Sequence, residues 1–425
     1  MAATQKALVN MIHCENFKTG LIGRKLSHSF SPEIHSYLAD YDYALYEMEE
    51  NEVGSFVKNC PLDAFNVTIP YKKTVMPYLD YISDTAERIG SVNTVVKKKD
   101  GIYGYNTDYY GFSYMVKKSG IGIENKKVLV LGSGGASLTV KTVLSDMKAK
   151  EIITVSRSGD NNYGNIQKHS NADVIVNTTP VGMYPENGNS PVDLSVFDNL
   201  SGVLDLIYNP AVTKLLYDAK KLGIPCINGL TMLSAQAKKA SELFLDTVID
   251  DGEIDRIVKN IELKTKNIVL IGMPGAGKST AGRITADLLG REFIDTDTVT
   301  EEMAGMKIPE IFTLHGEDSF RKAENAAITD VGKLSGKVIA TGGGIVTREE
   351  NFYPLSENSY IVWLKRDTSL LPADGRPISL NNDIEELYRK RAPIYKKLCD
   401  ITVDVSENAD ETANRIIEEI RRINK

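Results

Sequence analysis

The feature that most constrains this fold is the string GMPGAGKST, which occupies Gly272–Thr280. It follows an apolar run, Asn267–Ile271, and it precedes a helix-like stretch, Ala281–Leu289. In such a strand–loop–helix context, backbone N–H groups curl round phosphate groups, the lysine reaches the outer phosphates and the next hydroxyl can ligate Mg²⁺. The segment therefore predicts a nucleotide-phosphate site, with an ordinary glycine-rich turn as the structural alternative. The predicted phosphate-binding residues are Gly275, Ala276, Gly277, Lys278, Ser279 and Thr280, and Ser279 is also a predicted metal ligand.

Length and composition indicate a globular chain of several domains. At roughly 100–200 residues per domain, 425 residues suggest two or three domains, and 42% hydrophobic residues allow large cores. The net charge of -7 argues against general nucleic-acid binding, and four cysteines without a CxxC pair indicate reduced packing residues. No apolar run is long enough to cross a bilayer, and the N-terminus lacks a signal-peptide core. We therefore expect a cytoplasmic protein whose partners are small molecules rather than nucleic acid or membrane.

Short apolar strands alternate with helical stretches in two series, one beginning at Val128 and the other at Ile268. This βα rhythm predicts an α/β fold with doubly wound parallel sheets. The other predicted strands are Ile152–Val155, Val174–Asn177, Val203–Leu206 and Pro225–Ile227 in the first series, and Val338–Ala340, Tyr360–Leu364 and Ile401–Val403 in the second.

The two series predict two α/β units. Residues 1–250 form the first unit, with a substrate part of about residues 1–115 plus 230–250 and a dinucleotide part of about residues 116–229. Residues 251–265 are the predicted linker, and residues 266–425 are the predicted P-loop domain.

A glycine-rich turn follows the strand at Val128–Leu131 and predicts a Rossmann-like dinucleotide site. Its residues are Gly132, Ser133, Gly134, Gly135 and Ala136, followed by Ser137. Glycines at the first and third positions allow a tight turn and bring the backbone close to a pyrophosphate at a helix N-terminus. Ser137 replaces the last small residue of GxGxxG. Taken alone, the motif does not separate a dinucleotide site from a generic strand–helix turn.

The end of the next strand favours NADP over NAD. Ile152–Val155 is followed by Ser156, Arg157 and Ser158, at the place where an NAD-binding protein carries Asp or Glu for the ribose 2′-hydroxyl. An arginine flanked by hydroxyl groups suits a 2′-phosphate instead. A plain surface arginine is the structural alternative, and the preceding glycine loop argues against it.

Small polar side chains gather around one lysine in residues 20–110. They lie in four strings, His28–Pro32, Asn66–Lys72, Ser91–Thr94 and Tyr105–Asp108. Hydroxyl and amide groups of this kind orient a polyhydroxylated, carboxylated ring, and a lysine beside an aspartate can transfer a proton at an alcohol carbon. Each string alone also has a structural interpretation as a helix cap, a turn or a solvated lysine.

Together these strings resemble the shikimate dehydrogenase family over roughly residues 18–245. The resemblance includes Asn177–Met183, Tyr208–Pro210 and NGLTMLSAQA at Asn228–Ala237. It implies reduction of 3-dehydroshikimate by NADPH, with Lys72 as the acid/base and Asp108 as its partner. It also implies that Ser29 and Ser31 hold the substrate carboxylate, that Thr68, Asn93, Asp108 and Gln236 hold the ring hydroxyls, and that Tyr208 faces the substrate. The implied dinucleotide contacts are Gly132–Ser137, Ser156–Ser158, Asn177, Thr178, Thr179 and Gly229.

Acidic, glycine and arginine residues follow the phosphate loop. Asp295 and Asp297 end the expected second strand, and Gly342, Gly343 and Gly344 follow a later one, so that backbone without side chains approaches a small acceptor. Planar arginine donors suit an anionic acceptor and a phosphoryl group in transfer, whereas ordinary surface ion pairs are the structural alternative. The three arginines concerned are Arg321, Arg376 and Arg391.

These strings resemble shikimate kinase over about residues 266–425. The resemblance implies phosphorylation of shikimate by ATP, with Asp297 as base or positioning group for the acceptor hydroxyl and Lys278 and Arg376 on the phosphates. It further implies that Asp295 and Ser279 organise Mg²⁺, that Gly343 and Gly344 contact the ring, and that Arg391 and Arg321, held by Glu324, bind the carboxylate.

Two departures from the kinase pattern concern the nucleotide base. The lid stretch Thr368–Ile378 is short, with Leu370 and Leu371 where the family often has an arginine beside adenine. A second basic contact is absent near Ser406–Glu411. These departures leave nucleotide affinity and the preference for ATP open.

Two alternatives to a bifunctional enzyme are considered. One keeps both folds but uses other substrates, for example quinate and NAD in the first half, against which Arg157 and Ser29 argue. The other is a regulatory protein without catalysis, which we expect to have lost Lys72, Asp108, Lys278 or Asp297; all four are present. Oligomeric state, channelling and the relative orientation of the halves stay open.

Overall fold

The computed structural model describes residues 14, 16–26, 29–371 and 384–424. The chain divides into two compact units. The first contains Met1–Pro180, Pro191–Tyr208 and Asp218–Val258, and the second contains Val181–Ser190, Asn209–Tyr217 and Lys259–Lys425. Two short segments of the predicted dinucleotide part, 181–190 and 209–217, thus group with the second unit.

A six-stranded mixed sheet forms the first part of the first unit, in the order β2-β1-β3-β5-β6-β4. The strands are β1 Lys18–Gly23, β2 Asp42–Glu47, β3 Ala64–Val67, β4 Tyr81–Ile82, β5 Thr94–Lys98 and β6 Gly101–Tyr105. The helices are α1 Ser31–Leu38, α2 Glu50–Asn59, α3 Asp84–Ile89 and α4 Asp108–Ser119. Strands β1, β2 and β3 are parallel, whereas β5 runs antiparallel to both β3 and β6. Phe65 and Tyr71 are fully buried in the core on this sheet.

A parallel five-stranded sheet follows, in the order β11-β10-β9-β7-β8. Its elements are β7 Lys127–Leu131, α5 Gly135–Asp146, β8 Glu151–Val155, β9 Val174–Asn177, β10 Gly202–Asp205, α6 Lys214–Lys221 and β11 Cys226–Ile227. Strands β8 and β9 flank β7 on opposite sides. The order in which successive strands are added to the sheet therefore reverses at β7, which leaves a crevice at the carboxyl end of that strand. A ligand binds at such a switch point in doubly wound folds. Helix α7, Leu230–Leu245, then packs against α4 and α1.

The second unit holds another parallel sheet, in the order β13-β14-β12-β15-β16. Its strands are β12 Asn267–Ile271, β13 Phe293–Asp295, β14 Val338–Ala340, β15 Ser359–Lys365 and β16 Ile401–Asp404. Helix α8, Gly252–Thr265, begins in the first unit and ends in the second. The other helices of the second unit are α9 Lys278–Leu289, α10 Thr296–Ala304, α11 Ile308–Gly332, α12 Phe352–Ser356, α13 Ile384–Leu398 and α14 Ala409–Ile423. The apolar faces of this sheet build two cores, one around Trp363 and Tyr395 and one around Leu270 and Val362.

The predicted α/β class with parallel sheets is confirmed by this architecture. The segment predicted as a linker, 251–265, is helical as α8 over Gly252–Thr265. Among the described residues, no helix is both long enough and apolar enough to span a membrane.

Candidate active sites

A cavity of 680 Å³ in the first unit brings the predicted substrate residues together. Its lining includes Ser29, Ser31, Thr68, Lys72, Asn93, Asp108, Tyr208 and Gln236, together with Ala136 and Gly229 of the predicted dinucleotide site. These side chains come from strand ends, helix N-termini and helix α7, which are distant in the sequence. The cavity is therefore a site built by tertiary structure from local polar strings.

An ion pair between Lys72 and Asp108 lies in this cavity. Lys72 Nζ is 2.5 Å from Asp108 Oδ2, and the two side chains are 22% and 14% exposed. The backbone carbonyl of Lys72 accepts a hydrogen bond from Val92 N, which anchors the turn that carries it. Asp108 is the first residue of α4, where the helix dipole favours a carboxylate. The pair fixes Lys72 Nζ at the cavity wall, where it can exchange a proton with a ring oxygen.

Buried amides and hydroxyls hold the next part of the cavity wall. Asn93 Oδ1 accepts hydrogen bonds from Thr107 N at 2.7 Å and Thr94 Oγ1 at 3.0 Å. The Asn93 amide nitrogen is therefore the group that this side chain can offer to a ligand. Asn66 also lines the cavity and donates to the Asn93 backbone carbonyl at 3.2 Å, while its Oδ1 accepts from Tyr43 OH at 2.8 Å. Asn66 is absent from the predicted set, although it lies in the same string as Thr68.

The N-terminus of α1 presents two hydroxyls to the cavity. Ser31 begins the helix and its backbone N–H donates to Ser29 Oγ at 3.2 Å. Unsatisfied N–H groups of the first helical turn attract an anion, so this end of the cavity suits a carboxylate.

The glycine loop after β7 has the geometry that a pyrophosphate requires. Gly132 has a φ of 107°, and a Cβ there would lie 2.8 Å from Thr178 Oγ1. Gly134 and Gly135 have no atom within 4 Å of the place where a Cβ would stand, so the N-terminus of α5 is open. Thr178 Oγ1 donates to the Leu131 carbonyl at 2.7 Å, which seats the Asn177–Thr179 turn on this loop. Ser133 and Ala136 belong to the same loop, and Ser137 Oγ donates to the Gly134 carbonyl.

The three residues predicted to contact a 2′-phosphate follow β8, next to the glycine loop. Arg157 and Ser158 are exposed, whereas Ser156 is half-buried and donates its backbone N–H to the Asn161 carbonyl at 3.1 Å. Gly229 lies at the other side of the site, where a Cβ would be 2.0 Å from the Leu206 carbonyl oxygen. Only glycine permits this approach between the start of α7 and the end of β10.

The phosphate loop of the second unit joins β12 to α9. Gly272, Gly275 and Gly277 have φ values of 146°, 80° and 87°, a conformation that other residues rarely adopt. Lys278 is 6% exposed and its Nζ donates to the carbonyls of Gly272 at 3.0 Å and Met273 at 2.9 Å. The loop residue Ala276 is fully buried, and Thr280, the last predicted phosphate contact, lies in the first turn of α9.

The two predicted Mg²⁺ residues are in contact. Ser279 Oγ donates to Asp295 Oδ2 at 2.7 Å, and Asp295 Oδ1 accepts from the backbone N–H of Asp297 at 3.1 Å. The described residues contain no group of three or more His, Cys, Asp or Glu side chains that could hold a metal ion. A cation at Ser279 and Asp295 therefore requires further oxygen ligands from a nucleotide or water.

The predicted acceptor residues meet at the carboxyl ends of β13 and β14. A Cβ on Gly342 would lie 2.8 Å from Asp297 Oδ1, and one on Gly344 would lie 2.6 Å from Arg321 Nη1. Arg391 Nη1 donates to the Gly343 carbonyl at 3.2 Å. Glycines at these positions let carboxylate, guanidinium and backbone surround one small volume.

Both arginines predicted to bind the phosphoryl acceptor are buried, and Arg321 forms an ion pair with Glu324. Arg321 and Arg391 are 3% and 6% exposed, and Arg321 Nη1 donates to Glu324 Oε2 at 2.7 Å. Burial raises the pKa of the Glu324 carboxyl, and the adjacent Arg321 guanidinium opposes that rise. Tyr395 OH donates to the Gly343 carbonyl at 2.5 Å. Tyr395 is absent from the predicted set, although it belongs to the same KRAPIY string as Arg391.

Two arginines concern the nucleotide side of the kinase site, one predicted from the sequence and one seen only in the structure. Arg376 and the lid residues from position 372 onwards lie outside the described residues. Arg366, which is absent from the predicted set, donates from Nη1 to the Gly275 carbonyl of the phosphate loop at 3.2 Å. A basic side chain therefore stands at the phosphate loop even though Leu370 and Leu371 are apolar.

Fold and sites together define a two-unit enzyme, with a dinucleotide-dependent dehydrogenase site in the first unit and a P-loop kinase site in the second. Family models agree: the shikimate dehydrogenase substrate binding domain matches residues 21–95, and shikimate kinase matches residues 274–421. The shikimate dehydrogenase (NADP(+)) of Clostridium beijerinckii is 40% identical over 252 residues, which cover 55% of this chain and 93% of that protein. The chain therefore belongs to the shikimate dehydrogenase family, and its second unit carries a shikimate kinase domain.

Solved structures agree with the assignment of the dehydrogenase part. A chorismate mutase/shikimate 5-dehydrogenase fusion protein from Clostridium acetobutylicum is 38% identical, with a TM-score of 0.55 over 60% of this chain and 98% of that one. Shikimate 5-dehydrogenase from Thermus thermophilus, in complex with NADP(H) and shikimate, is 26% identical, with a TM-score of 0.52 over 59% of this chain and 99% of that one.

Proposed function

We propose that this chain catalyses two consecutive steps of the shikimate pathway. The first unit reduces 3-dehydroshikimate to shikimate with NADPH, and the second unit transfers the γ-phosphoryl group of ATP to shikimate to give shikimate 3-phosphate. The observation that carries the first activity is the Lys72–Asp108 ion pair in a cavity that also borders the dinucleotide loop. The second activity rests on the phosphate loop together with the acceptor cluster of Asp297, Arg321 and Arg391.

In the dehydrogenase step, the protein binds the ring and supplies a proton. Ser29 and Ser31 at the N-terminus of α1 would hold the carboxylate, and Thr68, Asn93 and Gln236 would hold ring hydroxyls. NADPH, when bound, supplies a hydride to the ring carbonyl. Lys72 Nζ donates a proton to the oxygen that becomes the alcohol, and Asp108 holds that nitrogen in place.

Three further roles belong to the proposed dehydrogenase. Tyr208 lines the cavity and would pack or bind against the ring, and Gly229, which also lines the cavity, would lie near the nicotinamide. The exposed Arg157 with Ser156 and Ser158 would bind the 2′-phosphate that distinguishes NADPH from NADH.

In the kinase step, backbone and side chains surround the phosphates and the acceptor hydroxyl. Lys278 Nζ would exchange its two loop carbonyls for phosphate oxygens, and Arg376 would reach the phosphates from the lid. Asp297 would orient and deprotonate the acceptor hydroxyl, while Arg321 and Arg391 neutralise its carboxylate. Ser279 and Asp295 offer the hard oxygen donors that Mg²⁺ prefers, and the ion, when bound, supplies charge neutralisation on the phosphates.

One assay on the purified chain tests both activities. We expect 3-dehydroshikimate to oxidise NADPH, and addition of Mg·ATP to produce shikimate 3-phosphate from the shikimate formed. Oxidation without phosphorylation would refute the kinase part and direct attention to the altered base region. Quinate oxidised with NAD in preference would favour the alternative substrates. A chain that binds both nucleotides but turns over neither would favour a regulatory protein.

Two alanine substitutions at neighbouring lysines separate the catalytic role of Lys72 from a general effect of lost charge. Lys72→Ala is expected to lower the dehydrogenase kcat by about 10²–10⁴ with a smaller change in KM, because it removes the proton donor. The neighbouring Lys73 is exposed, and Lys73→Ala is the matched control that should keep wild-type kcat. A wild-type kcat for Lys72→Ala would remove this residue from the mechanism.

The cytoplasm remains our expected location for the enzyme.

A further inference from the structure

A buried carboxylate at the end of β10 has no part in the chemistry described above. Asp205 is the last residue of that strand and is 0% exposed. Its Oδ1 accepts hydrogen bonds from Asn177 Nδ2 at 3.0 Å and from the backbone N–H of Ile207 at 3.1 Å. Burying a charged group is costly, so such a residue has a specific role in the fold or the site.

The contacts of Asp205 determine which way the Asn177 amide faces. With its nitrogen directed to Asp205, Asn177 presents Oδ1 to Thr179, accepting from its backbone N–H at 3.0 Å and from its Oγ1 at 2.7 Å. Asn177 itself is 0% exposed, so water cannot replace these partners. The amide thus has one arrangement that satisfies both of its ends.

The turn held in this way lies directly on the dinucleotide loop. Thr178, between the two bonded residues, donates to the Leu131 carbonyl and lies against Gly132. The Asn177 carbonyl also accepts from Leu206 N at 3.0 Å, which joins the ends of β9 and β10. A change at Asp205 is therefore transmitted to Gly132 and the Asn177–Thr179 turn through bonded neighbours.

We propose that Asp205 is a positioning residue for the dinucleotide site, and that it acts by fixing the orientation of the Asn177 amide. This inference rests on the proposed dehydrogenase function, because it concerns the site for the dinucleotide. An apolar residue at position 205 would leave Asn177 Nδ2 and Ile207 N without acceptors in a buried place. The amide would then lose the restraint that keeps Oδ1 on Thr179.

An exchange of the two side chains tests the proposal. Asn177→Asp alone places two buried carboxylates face to face and should weaken NADPH binding by at least about tenfold. Asp205→Asn alone weakens the acceptor for two donors and should raise the NADPH Kd by about fivefold. The double variant N177D/D205N again pairs one carboxylate with one amide and keeps an oxygen for Thr179. Because Asp205 Oδ1 serves both Asn177 and Ile207, an amide nitrogen in its place can donate to the carboxylate at position 177 only with loss of the Ile207 contact. Relief of the repulsion between the two carboxylates should lower the NADPH Kd of Asn177→Asp by at least about threefold, without a full return to the wild-type value.

Two quantities are measured. The NADPH Kd is obtained from the fluorescence of the nucleotide, and the KM for shikimate is obtained from the reverse reaction. Asp173→Asn is the matched control. Asp173 directly precedes the first residue of β9, far from Asn177 at its end, and it also accepts a hydrogen bond from a backbone N–H, that of Lys127 at 2.8 Å. This control should keep the wild-type NADPH Kd. Kinase activity of the same chains reports the second unit and should stay unchanged.

The outcomes separate the inference from the proposed function. An NADPH Kd that rises about tenfold more than the shikimate KM in Asn177→Asp, and that the second substitution lowers by at least about threefold, supports the positioning role. An equal rise in both constants, or an NADPH Kd in the double variant as high as that of Asn177→Asp, would overturn it. NADPH binding by the wild-type chain without reduction of 3-dehydroshikimate would refute the proposed reaction and leave the positioning role to be decided by the Kd values. A wild-type chain that does not bind NADPH would overturn both.

Discussion

Acidification is expected to destabilise the first unit through His35. This residue lies on α1 and is 1% exposed, with Nδ1 2.6 Å from Tyr41 OH and its ring stacked on Tyr43 at a centroid distance of 4.0 Å. Its Nε2 is buried and makes no hydrogen bond within the described part of the chain. Burial lowers the pKa of His35 from 6.5 to about 3, because a charged imidazole would lose its hydration there.

The magnitude follows from the difference between the folded and unfolded pKa. Between pH 6.5 and about 3 the unfolded chain binds a proton at His35 that the folded chain does not bind. The stability that neutral His35 provides is therefore complete above pH 6.5 and decreases as the pH falls. The expected loss is about 1.4 kcal/mol per pH unit in the free energy of unfolding, or about 2 kcal/mol at pH 5.

The assay compares wild type with His35→Gln, which cannot titrate, in urea unfolding series between pH 5 and pH 8. Loss of dehydrogenase activity follows the first unit, and fluorescence of the single tryptophan, Trp363 on β15, follows the second. We expect the variant to be less stable at pH 8 but to show a shallower decline toward pH 5 in the first transition only. His315→Gln is the matched control, because His315 is exposed.

A decline with pH that is the same in His35→Gln and wild type would refute the reasoning. It would mean that His35 takes up its proton without unfolding, and that other groups set the acid sensitivity. A flatter decline in the Trp363 transition as well would show that the effect is not confined to the first unit.

Further predictions concern both units. Gly344→Ala should raise the kinase KM for shikimate, because its Cβ would lie 2.6 Å from Arg321 Nη1; an unchanged KM would show that the arginine can move without loss. Arg157→Ala should raise the KM for NADPH by about tenfold and leave that for NADH unaltered, and equal changes for both cofactors would speak against a 2′-phosphate contact. Asp295→Asn should increase the Mg²⁺ concentration needed for half-maximal kinase activity; a wild-type Mg²⁺ titration would exclude its role at the metal. Arg376→Ala should lower kinase kcat and spare the dehydrogenase, whereas equal loss of both activities would indicate a structural residue.

The parallel sheets could be predicted because their strands are continuous apolar runs. Predicted Val203–Leu206 becomes β10 over Gly202–Asp205, a shift of one residue, because its pairing with β9 runs from Gly202 to Asp205, which lies opposite Asn177 at the end of β9. The mixed sheet was harder, because pairing order between distant strands does not follow from periodicity. Its β5–β6 hairpin turns at Lys99 and Asp100 and is followed by Gly101, and aspartate and glycine are residues typical of turns.

The candidate site residues could be predicted where polar side chains form a local string, as with Thr68 and Lys72. Their supports could not. Asp205 ends the apolar strand β10 and Tyr43 lies in the edge strand β2, and only the fold brings them to Asn177 and Asn66. Such contacts depend on which strand lies beside which, and a single sequence does not encode that in any short pattern.

Helix α7 has a consequence for how the chain is synthesised. The substrate part is built from two separated stretches, because α7 returns to it after the whole β7–β11 sheet, bringing Gln236 to the cavity and Phe244 to the core around Tyr41. Tyr41 OH and Ser241 Oγ are 2.6 Å apart across 200 residues of chain. During synthesis on the ribosome, the amino-terminal stretch therefore cannot complete its core, and part of its apolar surface stays uncovered until residue 245 has emerged. The dinucleotide sheet, whose strands are near neighbours in sequence, can form during that delay.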